Sequence, residues 1–338
     1  MSNFTDLQTT FPDLEWQEHT SLAPYTYMKV GGPAEVLWEA RDLDQMVAVL
    51  QFCQSNDIPY TLLGGASNVL VSDAGIDGLV ILNQCAEVAV LAESEVSPLI
   101  AEEWWATVLR ELTEYQFFVA ETGIKTAELV KFAVSKNLSG LEPFLGVPGT
   151  LGGAIYNNSH YTNELIGDFV VAVEVLTPDG QRIWLNQEAC EFAYDDSRFH
   201  RSGESILRVI FALLTGERSV LDTNLREATV KRATTQPLGV PSSGCMFRNV
   251  ELPPEKQAEY DGKTVLSAGW LIDQAGLKGT RVGGAVVSDK HANFLVNDGG
   301  ATAADIQALA ETVRQAVLDQ FGIELEREVF FIGEQKGK

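Results

Sequence analysis

Positive charge is scarce in this chain: 24 lysines and arginines stand against 47 aspartates and glutamates, a formal net charge of −23 over 338 residues. That deficit excludes a nucleic-acid binder, which needs a basic footprint, and argues against binding to anionic membranes. An anionic small molecule must then be held by local cations and backbone N–H groups. Long apolar runs are missing too: none reaches the roughly 18 residues that span a membrane. Met1-Ser2-Asn3-Phe4-Thr5-Asp6 contains neither a basic stretch nor an apolar one, so no secretory signal is visible and a cytoplasmic protein is expected. Cysteine is limited to Cys53, Cys85, Cys190 and Cys245, without a C-x-x-C pair, and histidine to His19, His160, His200 and His291. Their spacing matches no zinc site, and no metal is expected. Isolated cysteines in a large cytoplasmic protein are mostly core filler. Cys53, inside a helix-like run, fits that. Cys245 does not, because it sits in the polar, turn-rich Pro241-Ser242-Ser243-Gly244-Cys245.

Two glycine-rich loops, by contrast, stand out. Val147-Pro148-Gly149-Thr150-Leu151-Gly152-Gly153-Ala154 follows the apolar Leu141–Leu145, and Leu63-Gly64-Gly65-Ala66-Ser67-Asn68 follows the strand-like Pro59–Leu62. Glycine admits positive φ and close approach of a ligand to the main chain. Successive N–H groups in such a loop form a concave anion site, and a following helix start adds its dipole. Two such cradles suit a ligand with a diphosphate in its middle. Cations gather in the C-terminal third: Lys231, Arg232, Arg248, Lys263, Lys278, Arg281 and Lys290.

The length implies two or three domains. Residues 1 to about 20 read as a loosely held arm. Val36–Trp38, Pro59–Leu63, Asn68–Val71 and Leu79–Leu82 read as strands, with an amphipathic helix over Leu43–Ser55, an α+β pattern. Ala86–Gln116 lacks glycine, and its Leu99–Tyr115 portion reads as a helix. Phe117–Ala120 is a strand, and Thr126 caps a helix to about Asn137. Val170–Leu176 and Gln181–Leu185 form a hairpin across Pro178-Asp179-Gly180. Glu204–Leu214 is a strand, Glu217–Arg232 a helix, Trp270–Gln274 a short helix, and Ala285–Asn297 is strand-rich. Thr302 to Asp305 opens a helix that reaches Phe321 and ends at Gly322, and Ile323–Ile332 is a last strand.

Several ordered blocks carry a resemblance. They are Lys29–Ala34, Gly64–Asn68, Gly140 through Ala154, Tyr194-Asp195-Asp196-Ser197, Gly244–Asn249, Ala268–Gly279 and Leu325–Val329. In order and spacing they resemble the UDP-N-acetylenolpyruvoylglucosamine reductases, the MurB family, over about residues 20–333, and the chain looks more like its shorter second type. The resemblance implies an α+β fold: a two-part FAD-binding region of the vanillyl-alcohol-oxidase-like superfold, plus a C-terminal α/β substrate domain. It divides the chain into an arm (1–20), a first FAD-binding part (21–85, with returning strand 323–333), a second (86–216) and a substrate domain (217–322). It implies FAD as cofactor, NADPH as reducing co-substrate and a UDP-sugar as substrate, and it says nothing of oligomeric state. Ala86–Gln116 exceeds what the family needs.

The implied site residues follow block by block. FAD falls to Gly64, Gly65, Ala66, Ser67 and Asn68 and to Pro148, Gly149, Thr150, Gly152, Gly153 and Ala154. Cys245 matches the family's proton donor, usually serine, and a thiol is the better acid of the two. Glu328 matches its acidic C-terminal residue. Tyr194, Ser197, Arg248, Asn249, Lys263, Lys278 and His291 fall to the substrate. The chain departs at two points. The family's Tyr-Arg-x-Ser has Asp195 where the arginine stands, which makes Arg198, held by Asp195 and Asp196, the expected substitute. The loop Asn157-Asn158-Ser159-His160-Tyr161 is shorter and poorer in glycine. Two other readings stay open: an FAD oxidoreductase of the same superfold with another substrate, and a flavin-binding homologue without catalysis.

Overall fold

Val170–Leu176 is buried at every position, as a valine-rich strand with neighbours on both edges should be. The computed structural model, which describes residues 4–96, 115–161 and 164–333, sets it inside an antiparallel sheet. Arg182–Asn186, Val170–Leu176, Ser205–Thr215, Tyr115–Glu121 and Val88–Leu91 lie side by side in that order, and Leu138–Ser139 adds to Ser205–Thr215. The hairpin expected across Pro178-Asp179-Gly180 is present, with Val173 opposite Leu185. Glu174 is buried in Val170–Leu176, the second strand in that order. Arg182 (Nε to Oε1 3.0 Å) and Arg208 (Nε to Oε2 2.6 Å) hold it from the two neighbouring strands. A buried carboxylate needs such partners, since desolvation alone penalises it heavily.

This sheet belongs to one of two compact units, which takes in residues 1–18, 36–65 and 78–231. Helix Thr126–Ser135 and Leu221 of helix Arg218–Thr235 pack against one face, around Phe118, Phe144 and Phe211. A second core gathers on helix Leu43–Ser55, whose Met46, Val49, Leu50 and Cys53 are fully buried. Asp42 caps that helix, accepting from the Gln45 N–H at 2.8 Å. Strand Tyr60–Leu63 runs parallel to Ile76–Asn83 beside it.

The second unit takes in residues 19–35, 66–77 and 232–338. Its core is helix Ala303–Phe321, which buries Ile306, Leu309, Val313 and Val317. The helix packs on a three-stranded antiparallel sheet, Arg281–Val282, Ala285–Val287 and Leu295–Asn297. The Thr302/Asp305 capping box and left-handed Gly322 (φ 62°) end it where the sequence places them. Asp73 adds a cap from a distant segment, accepting from Ala303 N at 2.8 Å and Ala304 N at 2.9 Å.

Three expectations need correction, and a fourth falls largely outside the described residues. The first residues are not a loose arm: Phe4–Thr10 is a helix, and its Leu7 is fully buried in the core around Leu43–Ser55. Thr126 is the first helical residue rather than the cap, which is Lys125; the Thr126 N–H goes to Gly149 O at 3.1 Å. Of Ile323–Ile332 only Phe330–Ile332 is strand, parallel to Val69–Val71. The residues before it divide their bonds, Glu326 O accepting from Arg248 N and Glu328 N donating to Met246 O, both at 2.9 Å. Ala86–Gln116 includes strand Val88–Leu91 and short helix Glu93–Val96; most of the helix expected over Leu99–Tyr115 lies outside the described residues.

Asp73→Ala should lower the unfolding free energy by about 1 kcal/mol, the usual cost of losing an N-terminal cap. Urea denaturation followed by circular dichroism measures it. An unchanged midpoint would mean that the Thr302/Asp305 box caps the helix unaided.

Candidate functional site

The two glycine loops, 85 residues apart in sequence, meet in the first unit. Gly65 N donates to Thr150 Oγ1 at 3.3 Å. A Cβ on Gly65 would stand 2.6 Å from Gly149 Cα, and one on Gly64 would stand 2.0 Å from Thr150 Oγ1. Gly65 is therefore demanded by backbone packing, whereas Gly64 makes room for the Thr150 side chain. Gly149 (φ 97°) turns the chain into the six-residue helix Leu151–Tyr156. The helix does not aim all its leading N–H groups outward: Leu151 N donates to Ile124 O at 2.9 Å and Gly152 N to Thr122 O at 2.8 Å. The concave anion site expected from successive N–H groups is thus partly spent on residues 122–124. Gly153 differs from its neighbours. A Cβ there would meet nothing within 4 Å among the described residues, and no packing among them accounts for the glycine. A bare backbone beside open space fits a bulky planar cofactor laid against the helix start. Pro148 leads into the turn, and Ala154 is buried with its N–H on Thr150 O at 3.0 Å.

Beyond that helix the chain is stitched to the segment carrying Tyr194 and Ser197. Ser197 is fully buried and donates to Tyr156 O at 2.6 Å; it joins two segments, so its hydroxyl does not face a substrate. Asn158, also fully buried, donates to Ala193 O (2.7 Å) and accepts from Gly167 N (2.9 Å). His160 Nδ1 lies 2.9 Å from Asp195 Oδ1, and its Nε2 lies 3.2 Å from the hydroxyl of Tyr194. His200 Nδ1 lies 3.0 Å from Asp196 Oδ1. Arg198 is not held by Asp195 and Asp196 as expected. Its Nε and Nη2 form a two-pronged pair with Glu204 at 3.1 and 3.0 Å, and Nη1 donates to Ala189 O at 3.0 Å. Asp196 pairs with Arg201 instead; burial is the largest single pull on its carboxyl and pushes it up, but Arg201, His200 and the Ser197 N–H together hold it below its ordinary range. A guanidinium so engaged has little left to offer a carboxylate, and the expected role of Arg198 loses its geometric support.

In the second unit Cys245, Met246 and Phe247 run between two other segments. Cys245 bridges to Phe294 on one side, and Phe247 to Arg327 on the other. Asn293 holds the middle: its Oδ1 accepts from Phe247 N at 3.0 Å and its Nδ2 donates to Phe247 O at 2.7 Å. Glu328 comes beside Cys245 through its N–H on Met246 O at 2.9 Å, and Asn68 Nδ2 donates to Glu328 O at 3.1 Å. The two sequence-predicted catalytic residues of this unit thus occupy neighbouring backbones. Ala66 is buried at φ 46° with its carbonyl on Tyr27 N, and Ser67 is half-buried beside it. Cys53, Cys85 and Cys190 are buried, which pushes each thiol up to about 12, whereas Cys245 is partly exposed.

The remaining predicted substrate residues scatter. Asn249 Oδ1 accepts from Ala268 N at 3.2 Å, at the start of helix Ala268–Gln274. Lys278 pairs with Asp273 at 2.8 Å, and Lys263 lies over the Trp270 ring at 5.7 Å. Arg248 follows Phe247 with its N–H on Glu326 O. His291 is pushed below the ordinary histidine range by burial, and its Cε1 lies 3.1 Å from where a Gly269 Cβ would stand. A neutral, packed ring is a poor phosphate partner. Asn293, His160 and Asp195 escaped the sequence reading as site residues. Only the last two carried a signal, since both lie where the chain departs from the resembled pattern.

Comparison with known proteins agrees with this layout. A family model described as FAD binding domain matches residues 34–186. One described as UDP-N-acetylenolpyruvoylglucosamine reductase, C-terminal domain, matches residues 236–332. A UDP-N-acetylenolpyruvoylglucosamine reductase of Listeria monocytogenes serovar 1/2a is 35% identical over 331 residues, covering 98% of this chain and 99% of the relative. That of Limosilactobacillus fermentum is 35% identical over 331 residues, covering 98% of each. Among solved structures, a UDP-N-acetylenolpyruvylglucosamine reductase from Thermus caldophilus superposes with a TM-score of 0.69 at 30% identity, covering 94% of this chain and 98% of that one.

Two outcomes test the geometry. Gly65→Ala should destabilise the fold by about 1–3 kcal/mol, the range for overpacking, because Gly149 backbone cannot rotate away; a wild-type urea midpoint would contradict the close approach. Native protein near about pH 8 should take up iodoacetamide at Cys245 and leave Cys53, Cys85 and Cys190 unmodified until unfolding. Peptide mass mapping reads this, and equal labelling of all the cysteines would contradict it.

Proposed function

We infer that this chain, which belongs to the UDP-N-acetylenolpyruvoylglucosamine reductase family, reduces the enolpyruvyl group of UDP-N-acetylenolpyruvoylglucosamine to give UDP-N-acetylmuramate. It is a flavin-dependent oxidoreductase of peptidoglycan precursor synthesis, with FAD as cofactor and NADPH as reductant. The observation that carries this is end-to-end identity of 35% with reductases of that name. Bound FAD supplies two-electron transfer between NADPH and the enolpyruvyl double bond. The glycine loops of the first unit, and Gly153 above all, would hold it. The FAD-binding match over 34–186, the reductase match over 236–332 and the strand returning to Val69–Val71 support a division into FAD-binding parts 21–85 (with 323–333) and 86–216 and a substrate part 217–322. Among the described residues no helix is long and apolar enough to cross a membrane, and we place the enzyme in the cytoplasm, where its nucleotide substrates are found.

The protein's own residues supply the proton and the charge balance. Reduction of the double bond leaves negative charge conjugated to the substrate carboxylate, which calls for aimed donors in a water-poor site. It then calls for a proton from a positioned acid. Cys245 is the donor in this reading: a partly exposed thiol on a segment clamped at Phe247 by Asn293. Glu328, on the neighbouring backbone, serves either as a protonated carboxyl facing the developing charge or as the group that orients the thiol. One observation favours a second reading, a flavin-binding homologue with weakened catalysis: Arg198 is engaged by Glu204, and Asp195 stands where the family has arginine.

Stopped-flow measurement of the two half-reactions tests both. Wild type should be reduced by NADPH and reoxidised by the enolpyruvyl sugar nucleotide. Cys245→Ala should keep near-normal reduction, while reoxidation slows by roughly 10²-fold, the scale of a lost general acid. Cys245→Ser should retain much more, since a hydroxyl donates from the same place. Reoxidation unchanged in Cys245→Ala would remove the donor assignment. No reoxidation in wild type would favour the second reading.

A further inference from the structure

The segment that carries Cys245 runs antiparallel to residues 294–297 with one residue too many. Asn297 N donates to Pro241 O at 2.9 Å, and further along the segment Cys245 bridges to Phe294. Pro241 to Cys245 takes four steps, whereas Asn297 to Phe294 takes three, so one residue of Ser242-Ser243-Gly244 has no counterpart opposite. Gly244 takes the positive φ (83°) that suits such a bulge. The extra residue matters for direction. In paired strands the side chains alternate, and a shift of one residue moves a side chain to the other face. The bulge therefore decides which face of the pairing the Cys245 thiol takes.

The bulge does not hold itself. The Ser243 hydroxyl is buried without a hydrogen-bond partner among the described residues, and a Cβ on Gly244 would meet nothing within 4 Å among them. Order comes from Asn293, which is 2% exposed. Its backbone carbonyl accepts from Met246 N at 2.8 Å. Its Oδ1 accepts from Phe247 N at 3.0 Å, and its Nδ2 donates to Phe247 O at 2.7 Å. Three backbone groups directly after Cys245 are thus tied to one residue. A side-chain amide both accepts and donates, which neither a carboxylate nor an aliphatic group does. Asn293 N donates in turn to His291 Nδ1 at 3.3 Å, which steadies the asparagine from behind. With Asn297 on Pro241 at one end and Asn293 on Met246 and Phe247 at the other, the bulge is stretched between two anchors.

We propose that Asn293 is a positioning residue for proton transfer: it anchors the bulged segment just beyond Cys245 and so aims the thiol at the carbon that takes up the proton. Asn293 acts through Cys245 and not on the substrate itself. The proposal rests on the reductase reading above, with Cys245 as the donor.

A double-mutant cycle on the FAD-loaded enzyme, read by stopped-flow, tests it. Asn293→Ala should slow reoxidation by the enolpyruvyl sugar nucleotide about 10-fold or more, since a misplacement of about 1 Å can cost about 10²-fold. Reduction by NADPH should stay within about twofold of wild type. In a Cys245→Ala background the same substitution should slow reoxidation by less than about twofold, because a group that works only through the thiol then has nothing to aim. Labelling of Cys245 by iodoacetamide, which needs no turnover, should speed up several-fold in Asn293→Ala as the segment loosens. Asn293→Ser serves if the alanine variant does not fold. Slowing of both half-reactions together, or failure of both variants to fold, marks Asn293 as a residue of the fold alone and overturns the proposal. Wild-type reoxidation in Asn293→Ala overturns it too, as do unchanged labelling and undiminished slowing in the Cys245→Ala background. If wild type itself is not reoxidised, it is the reductase reading that fails, and the proposal falls with it.

Discussion

The approach of one backbone to another at Gly65 and Gly149 is the constraint on which the cofactor region depends. With 2.6 Å between a notional Cβ and the opposing Cα, no side chain fits at Gly65. Only this contact lets Thr150 Oγ1 take the Gly65 N–H and sets where helix Leu151–Tyr156 begins. From there the register of Asn157 to Tyr161 follows, because Ser197 bonds to Tyr156, Asn158 to Ala193 and Asp195 to His160. The glycines thus act mainly through packing at positions 64 and 65, and through openness at 153.

A different device organises the second unit. Cys245 lies in a turn-rich segment with few neighbours in sequence to hold it. The reciprocal pair of bonds from the Asn293 amide to Phe247, together with Glu328 N on Met246 O, supplies the order that the local sequence does not. Three other thiols are driven up to about 12 by burial, whereas Cys245 is partly exposed, which is why the proposed proton donor is sought there.

Much of this was legible in the sequence where the physics is local. The apolar spacing of Leu43–Ser55 marks that helix to the residue, and the Thr302/Asp305 box and Gly322 mark both ends of another. Long-range partners were not legible. Nothing near Asp73 says that it caps a helix 230 residues on, and nothing near Asn293 says that it clamps Phe247. The N-terminal helix was misread as a loose arm because Phe4 and Leu7 find their core only in the folded chain. The last strand was read too long because Ile323, Leu325 and Val329 are buried in the unit's core without being laddered in a sheet. At the site, it was the resemblance to the reductase family, and not residue type alone, that pointed to Cys245 and Glu328. The partner of Arg198 was assigned to adjacent aspartates when Glu204, six residues along, has the better geometry. The Asp195–His160 pair required two departures from one pattern to be seen as a single contact.

Acid release of the cofactor tests the central claim, that the two glycine loops belong to a flavin enzyme, most directly. Purified protein should be yellow, and denaturation in acid should free FAD into the supernatant at about one per chain, with none left covalently attached. The stripped protein should regain its absorbance when FAD is added back. Colourless protein that cannot be reconstituted with FAD would contradict the account.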